Sequence, residues 1–191
     1  MPDHDGLLSL LAECSARRGH FTLASGREST LYIDARLTTM SPEGLALIGP
    51  LALSALQSAD WKIDAVGGLT LGADPISYAI SYASANTTKP IRAFTVRKEV
   101  KTHGTSRLIE GPFREGDHVA IIEDVITTGG SAFRAVKAIR EAGGIVTGIL
   151  ALVDREEGGK EALTASGLPV IALARASEII VRLPVSEPPA H

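Results

Sequence analysis

Two adjacent acids, Glu123 and Asp124, follow the apolar run 119–122 and stand just ahead of Thr127-Thr128-Gly129-Gly130-Ser131. The residues after them carry a helical pattern, so the spacing predicts a strand, a hydroxyl- and glycine-rich turn, and then a helix. A helix N-terminus presents backbone N–H groups that have no intrahelical partner, and glycines let those groups approach an anion closely. The hydroxyls of Thr127, Thr128 and Ser131 add donors, so the stretch has the chemistry of a phosphate cradle. Ionised carboxylates only accept hydrogen bonds, which suits the vicinal hydroxyls of a ribose at Glu123 and Asp124. The spacing is neither GxxxxGK[ST] nor GxGxxG, which disfavours a nucleoside-triphosphate P-loop and a dinucleotide fold. An ordinary turn, with Thr and Ser capping the helix and the acids solvated, is the alternative.

Two further stretches have anion-binding chemistry. Glycines 67, 68 and 72 follow a short β-type run at 63–67, where freed backbone N–H groups could form a nest for diphosphate oxygens. They could equally make a plain turn feeding a helix at Pro75. Residues 97–107 carry Arg97, Lys98, Lys101 and Arg107 against Glu99, a net +3 in eleven residues, which leaves −6 on the rest of a chain whose total is −3. A departing anionic group gains negative charge as its bond breaks, and such a patch would stabilise it. A solvated loop or phosphate-backbone contact are the rival readings, although the loop lacks the interleaved aromatics that single-stranded nucleic acid favours.

These segments need a scaffold. Residues 5–17 place Leu7, Leu8, Leu11 and Ala12 on one stripe, the pattern of an amphipathic first helix. Phe21-Thr22-Leu23 and Leu31-Tyr32-Ile33 flank a polar turn and predict a strand pair. Ser41-Pro42 reads as an N-cap followed by proline at the first helical position, opening a helix to Leu56. Short β-type runs at 63–67, 91–96, 119–123, 145–153 and 170–173 alternate with helical patterns, and the clearest helix, 131–142, has Phe133, Val136 and Ile139 at three-residue steps. Strand, helix, strand in that order implies right-handed crossovers and an open, mainly parallel α/β sheet. Residues 97–111 fit neither period and are expected to be a functional, flexible loop, and the tail 184–191, with three prolines, is expected to fray.

Composition narrows the class. With 191 residues and 45% hydrophobic content, the chain is expected to form one domain over 1–191 with a single core. Net −3 gives no overall reason to expect nucleic acid or an anionic membrane. The lone Cys14 cannot form an intrachain disulfide or a cysteine-cluster metal site. The opening residues Met-Pro-Asp-His-Asp carry acid where a signal peptide carries Lys or Arg, and the expected location is cytoplasmic.

Residues 123–131 resemble the phosphoribosyl-diphosphate (PRPP) signature of the type I phosphoribosyltransferases. Residues 21–34, with Phe21, Leu23, Ser25, Gly26, Arg27, Ser29, Tyr32 and Asp34, look like the hood motif of the orotate phosphoribosyltransferases. Residues 67–76 are similar to that family's diphosphate loop, 95–104 to its catalytic loop, and the Val153-Asp154-Arg155 segment also matches in order. The likeness spans about residues 5–180.

The resemblance implies the type I phosphoribosyltransferase fold, an open mainly parallel sheet flanked by helices with a small N-terminal hood at about 1–40. It implies Mg²⁺-dependent transfer of the phosphoribosyl group from PRPP to orotate, giving orotidine 5′-monophosphate and diphosphate. Glu123 and Asp124 would hold the ribose hydroxyls, Val125, Ile126, Thr127, Thr128, Gly129, Gly130 and Ser131 the 5′-phosphate, and Thr70, Leu71 and Gly72 the diphosphate. Lys101 would contact the leaving diphosphate and assist chemistry, with His103 binding diphosphate or moving a proton. Arg155 would bind the orotate carboxylate, with Thr127 near the ring, although Asp154, Glu156 or Glu157 could instead pair with Arg155. A homodimer is implied, with Arg97, Lys101 and His103 acting in the neighbouring subunit and Lys98 in its own. Mg²⁺ would arrive on PRPP oxygens. The sequence departs from the family at Ala24, where many members carry Lys, so that lysine's ligand contact is not carried over.

Overall fold

The computed structural model describes residues 3–22, 28–99 and 108–183. The first helix, α1 (His4–Leu10), is capped by the Asp3 side chain accepting from the Gly6 amide. It continues as a π-helical turn, Leu11–Ser15, and the chain then becomes strand at Ala16, so the helix expected to reach residue 17 stops short of it. Leu7, Leu8, Leu11 and Ala12 are buried together, as their spacing requires. The strand pair is present as β1 (Ala16–Thr22) and β2 (Glu28–Ile33), an antiparallel sheet separate from the main one. Arg155 anchors this hood to the body, donating from Nη2 to the Leu31 carbonyl at 3.0 Å and to Ser29 Oγ at 3.2 Å.

A short helix α2 (Arg36–Thr39) leads to α3 (Pro42–Ser58), whose start agrees with the sequence signal. Ser41 is extended and its Oγ accepts from the Gly44 amide at 2.9 Å, while Pro42 occupies the first turn, where no amide partner is needed. The main sheet then builds from β3 (Ala65–Leu69), β4 (Arg92–Val96), β5 (Ile109–Glu110), β6 (His118–Ile126), β7 (Ile145–Asp154) and β8 (Val170–Arg175). Their spatial order is β5-β4-β3-β6-β7-β8, parallel throughout except for the two-residue edge strand β5. That strand lies inside the stretch expected to be irregular loop. It pairs Glu110 with Thr95 and Ile109 with Val96, too short a match to register as periodicity.

Helix α4 (Ala73–Ser84) follows β3, α5 (Gly130–Glu141) follows β6, and α6 (Gly159–Ala165) and α7 (Ala176–Ile180) complete the chain described. One face of the sheet packs Ala120, Ile122, Leu150 and Leu152 against α1, α3 and α4; the other packs Val119, Ile121, Ile149 and Ala151 against α5 and Leu163 of α6. Both faces being covered explains why β7 is apolar almost throughout. In α5 the buried side chains are Ala132, Ala135, Val136, Ala138 and Ile139. Phe133, expected to join that stripe, is 37% exposed, because the true stripe runs through the alanines beside it.

The chain winds outward from β3 to β4 and then returns to lay β6 on the other side of β3. This reversal opens a crevice beyond the carboxyl ends of β3 and β6, the place where open α/β sheets bind ligands. Among the described residues no helix is long and apolar enough to cross a membrane.

Candidate active site

Two loops flank that crevice, 70–72 after β3 and 127–129 after β6. The acids lie differently from expectation. Strand β6 runs on to Ile126, pairing Val125 with Val153 and Ile126 with Asp154, so Glu123 and Asp124 sit inside the strand rather than at its end. Neighbours in a strand point to different sides. Glu123 lines the cavity in front of α5, whereas the Asp124 carboxylate lies against the tip of α4, where a Cβ added to Gly72 would overlap it.

Burial pushes the Glu123 carboxyl up to about 9, with the charge and hydrogen bonding of Asp124 adding to the effect. The shift favours the protonated form of Glu123, which can donate as well as accept, over the ionised acceptor that the sequence suggests.

Gly129 adopts the left-handed conformation at φ 82° just before α5, in tight contact with α6, where an added Cβ would press on Leu163 and the Gly159 carbonyl. No side chain caps α5, so the reading in which Thr and Ser merely cap the helix does not hold. The unpaired first-turn amides open onto a cavity of about 440 Å³ lined by Glu123, residues 125–131 and Arg134. Arg134 was not among the expected residues. One helical turn beyond Ser131, its Nη2 lies 3.4 Å from Ser131 Oγ, and a basic residue three or four positions into a helix that opens on an anion is the signal that could have found it. Arg134→Ala should weaken binding of inorganic phosphate at this cavity about tenfold, as a titration followed by calorimetry would show.

On the other side of the crevice, only Gly72 of the three expected nest glycines faces the site. Gly67 and Gly68 are interior residues of β3, paired to Phe94 and Thr95 of β4, and an added Cβ would strike the Phe94 and Ile122 carbonyls. They allow close packing of the sheet, which corrects the expectation that they present free amides. Thr70 and Leu71 follow the strand, and the Thr70 amide donates to the Val96 carbonyl at 2.8 Å.

Arg97 leaves the end of β4 and pairs with Glu110 of its own chain at 3.1 Å, while Lys98 is exposed beside it. Lys101, His103 and Arg107 lie outside the described residues, as do Leu23, Ala24, Ser25, Gly26, Arg27 and the tail 184–191.

Arg155 is 8% exposed and follows β7, its amide donating to the Ile126 carbonyl. It forms a 2.9 Å ion pair with Glu157, one of the alternatives the sequence left open. Its Nε is buried without a partner. On the hood, Asp34 binds Arg36 at 2.8 Å, and this contact holds the Asp34 carboxyl below the usual range.

An uncapped helix N-terminus, a second loop across the switch point and an acid pair between them meet at one crevice, and the sheet and hood around it have the type I phosphoribosyltransferase fold. An adenine phosphoribosyltransferase from Leishmania donovani, at 16% identity and a TM-score of 0.65, shares that fold. No family model matches the chain. The orotate phosphoribosyltransferase of Aquifex aeolicus is 49% identical over 160 residues, covering 84% of this chain and 86% of the relative. That of Sorangium cellulosum is 46% identical over 180 residues, 93% of each chain. The crystal structure of Mycobacterium tuberculosis orotate phosphoribosyltransferase in complex with PRPP matches with a TM-score of 0.78 and 41% identity, over 93% of this chain and 99% of that one. The chain belongs to the orotate phosphoribosyltransferase family.

Proposed function

We propose that the protein transfers the 5-phosphoribosyl group from PRPP to orotate, yielding orotidine 5′-monophosphate and diphosphate for pyrimidine biosynthesis, a reaction we place in the cytoplasm. The observation that carries this reading is the uncapped N-terminus of α5, opening beside the buried Glu123 and facing the 70–72 loop across Asp124. PRPP carries a 5′-phosphate and a diphosphate on one ribose, which two anion loops with an acid pair between them would suit. Residues 127–131 and Arg134 hold the 5′-phosphate. Asp124 accepts from ribose hydroxyls and, as positive charge grows on the ring, stabilises it. Neutral Glu123 contributes hydrogen bonds rather than charge.

Orotate nitrogen 1 displaces diphosphate at ribose carbon 1 through an oxocarbenium-like transition state. The protein contributes alignment, leaving-group stabilisation and exclusion of water. Thr70, Leu71 and Gly72 cradle the diphosphate with Lys98 of the same chain, and Lys101 and His103 reach it from the neighbouring subunit of a homodimer. Arg97 joins them by exchanging Glu110 for the partner's diphosphate. Arg155 binds the orotate carboxylate, beside Thr127.

Mg²⁺ would be held mainly by PRPP oxygens, with several of its waters kept. Bound there, Mg²⁺ would neutralise diphosphate charge.

Incubation with PRPP and orotate should release orotidine 5′-monophosphate and diphosphate in equal amounts with Mg²⁺ and neither with a chelator. Formation of both at the full rate under chelation would remove the metal from the account. Arg155→Gln should raise KM for orotate by about tenfold or more and KM for PRPP little, since a charge-assisted bond to a carboxylate is lost. Ser29→Ala, which loosens only the hood tether, serves as the control, and an equal effect from both substitutions would reduce Arg155 to a hood anchor.

A further inference from the structure

The acid Asp74 stands in the first turn of α4, two residues after the 70–72 loop, and it is 7% exposed. Among the described residues it forms no ion pair. Its carboxyl oxygens instead accept from two hydroxyls, Thr70 Oγ1 at 2.7 Å and Thr95 Oγ1 at 2.8 Å. Thr95 has only one hydroxyl proton, and it is spent on Asp74, so the Tyr78 hydroxyl 3.0 Å away donates to Thr95. The backbone repeats the connection, since the Asp74 amide donates to the Leu71 carbonyl and the Thr70 amide to the Val96 carbonyl.

A buried carboxyl costs free energy unless its hydrogen bonds are made, and an apolar residue would fill this position with no such demand. What the acid adds is a link between two particular segments. Thr70 belongs to the loop after β3, and Thr95 stands two residues before Arg97, where β4 gives way to the cationic stretch. The two ends of this bridge are the two parts of the chain assigned to the diphosphate.

We propose that Asp74 is a positioning residue for the diphosphate end of PRPP, fixing the 70–72 loop against the Arg97–Lys98 exit of β4 through Thr70 and Thr95. The inference rests on the reading of those two segments as diphosphate-binding. Asp74 touches no reacting atom; it sets the separation of the groups that do. Loss of the bridge lets the loop and the β4 exit move independently, which weakens PRPP and inorganic diphosphate but not orotate.

The test is steady-state kinetics of Thr70→Val and Thr95→Val, which keep side-chain shape and remove the hydroxyl, together with Asp74→Ala and thermal melting of each. Each valine variant should raise KM for PRPP and the inhibition constant of inorganic diphosphate about tenfold, with KM for orotate within about twofold. The serine variants Thr70→Ser and Thr95→Ser should restore both constants. Asp74→Ala should lower kcat/KM for PRPP about a hundredfold, and adding Thr95→Val to it should cost little more, since the partner is already gone.

If Asp74→Ala does not fold, the two valine variants carry the test alone. Unchanged constants for PRPP and diphosphate in both, or an equal rise for orotate, would overturn the proposal. Lys98→Ala separates the two levels of the argument. If it weakens diphosphate while the threonine variants do not, only the role of Asp74 fails; if diphosphate binding ignores Lys98, Thr70 and Thr95 alike, the assignment of these segments fails and the proposal with it.

Discussion

In the proposed homodimer, chains carrying Lys101→Ala and chains carrying Asp124→Ala will each lose about 10²- to 10³-fold in activity, and equal mixing of the two will restore about a quarter of the wild-type rate. The first substitution removes a cation from the leaving diphosphate, the second the acid that meets the ribose as it becomes cationic. Each loss is that of a charge aimed at a charge developing in the transition state. The recovery depends on where the groups lie. Asp124 is fixed in β6, against Gly72 of the same chain. If Lys101 serves the neighbouring site, a mixed dimer holds one site with both defects and one with neither. Random pairing makes half the dimers mixed, and half of their sites intact. Native mass spectrometry would establish that the subunits had exchanged, and the absence of recovery after exchange would place Lys101 in its own chain's site.

Glu123 should make the unliganded protein lose stability as pH rises through the neutral range. The carboxyl has an ordinary value of 4.5 and is pushed to about 9 in the folded chain, first by burial and then by Asp124. Between those values the folded state holds one proton more than the unfolded state. The contribution of Glu123 is then full below pH 4.5 and falls as pH rises toward 9, with a limiting slope of about 1.4 kcal/mol per pH unit. Asp34, Asp64 and Glu178 work in the opposite sense. Hydrogen bonds from the Arg36 side chain, the His118 amide and the Arg175 side chain hold their carboxyls below the ordinary value. Their stabilisation is lost as pH falls through that acid range, so it leaves the neutral window to Glu123. Urea unfolding of the wild type and Glu123→Gln from pH 6 to pH 9 measures the difference. The glutamine keeps the shape and cannot titrate, so the wild-type midpoint should fall with pH while the variant's stays nearly level. Equal slopes would show that Glu123 is ionised throughout.

Much of this was legible in the sequence because the deciding signals are local. Ser41-Pro42 set the start of α3 by capping chemistry, the apolar run 145–153 gave β7, and the hydroxyl-glycine turn after β6 gave the cradle. What escaped depends on contacts distant along the chain. Strand β6 runs on past the acids because β7 continues to pair with it as far as Asp154, which places Glu123 inside the strand. Gly67 and Gly68 look like turn residues until β4 and β6 close around them. Arg155 reaches Leu31, 124 residues away, and that hood contact is invisible to any local pattern. The bridge from Asp74 to Thr95 spans 21 residues and joins two hydroxyls with no motif to mark them.

The acceptor is the heart of the functional reading, and one assay addresses it directly. Orotate, uracil and hypoxanthine, each supplied with PRPP and Mg²⁺ under the same conditions, should divide cleanly: orotate is consumed with stoichiometric release of diphosphate, and the two bases lacking a carboxylate for Arg155 are left intact. Consumption of uracil or hypoxanthine with orotate untouched would contradict the assignment.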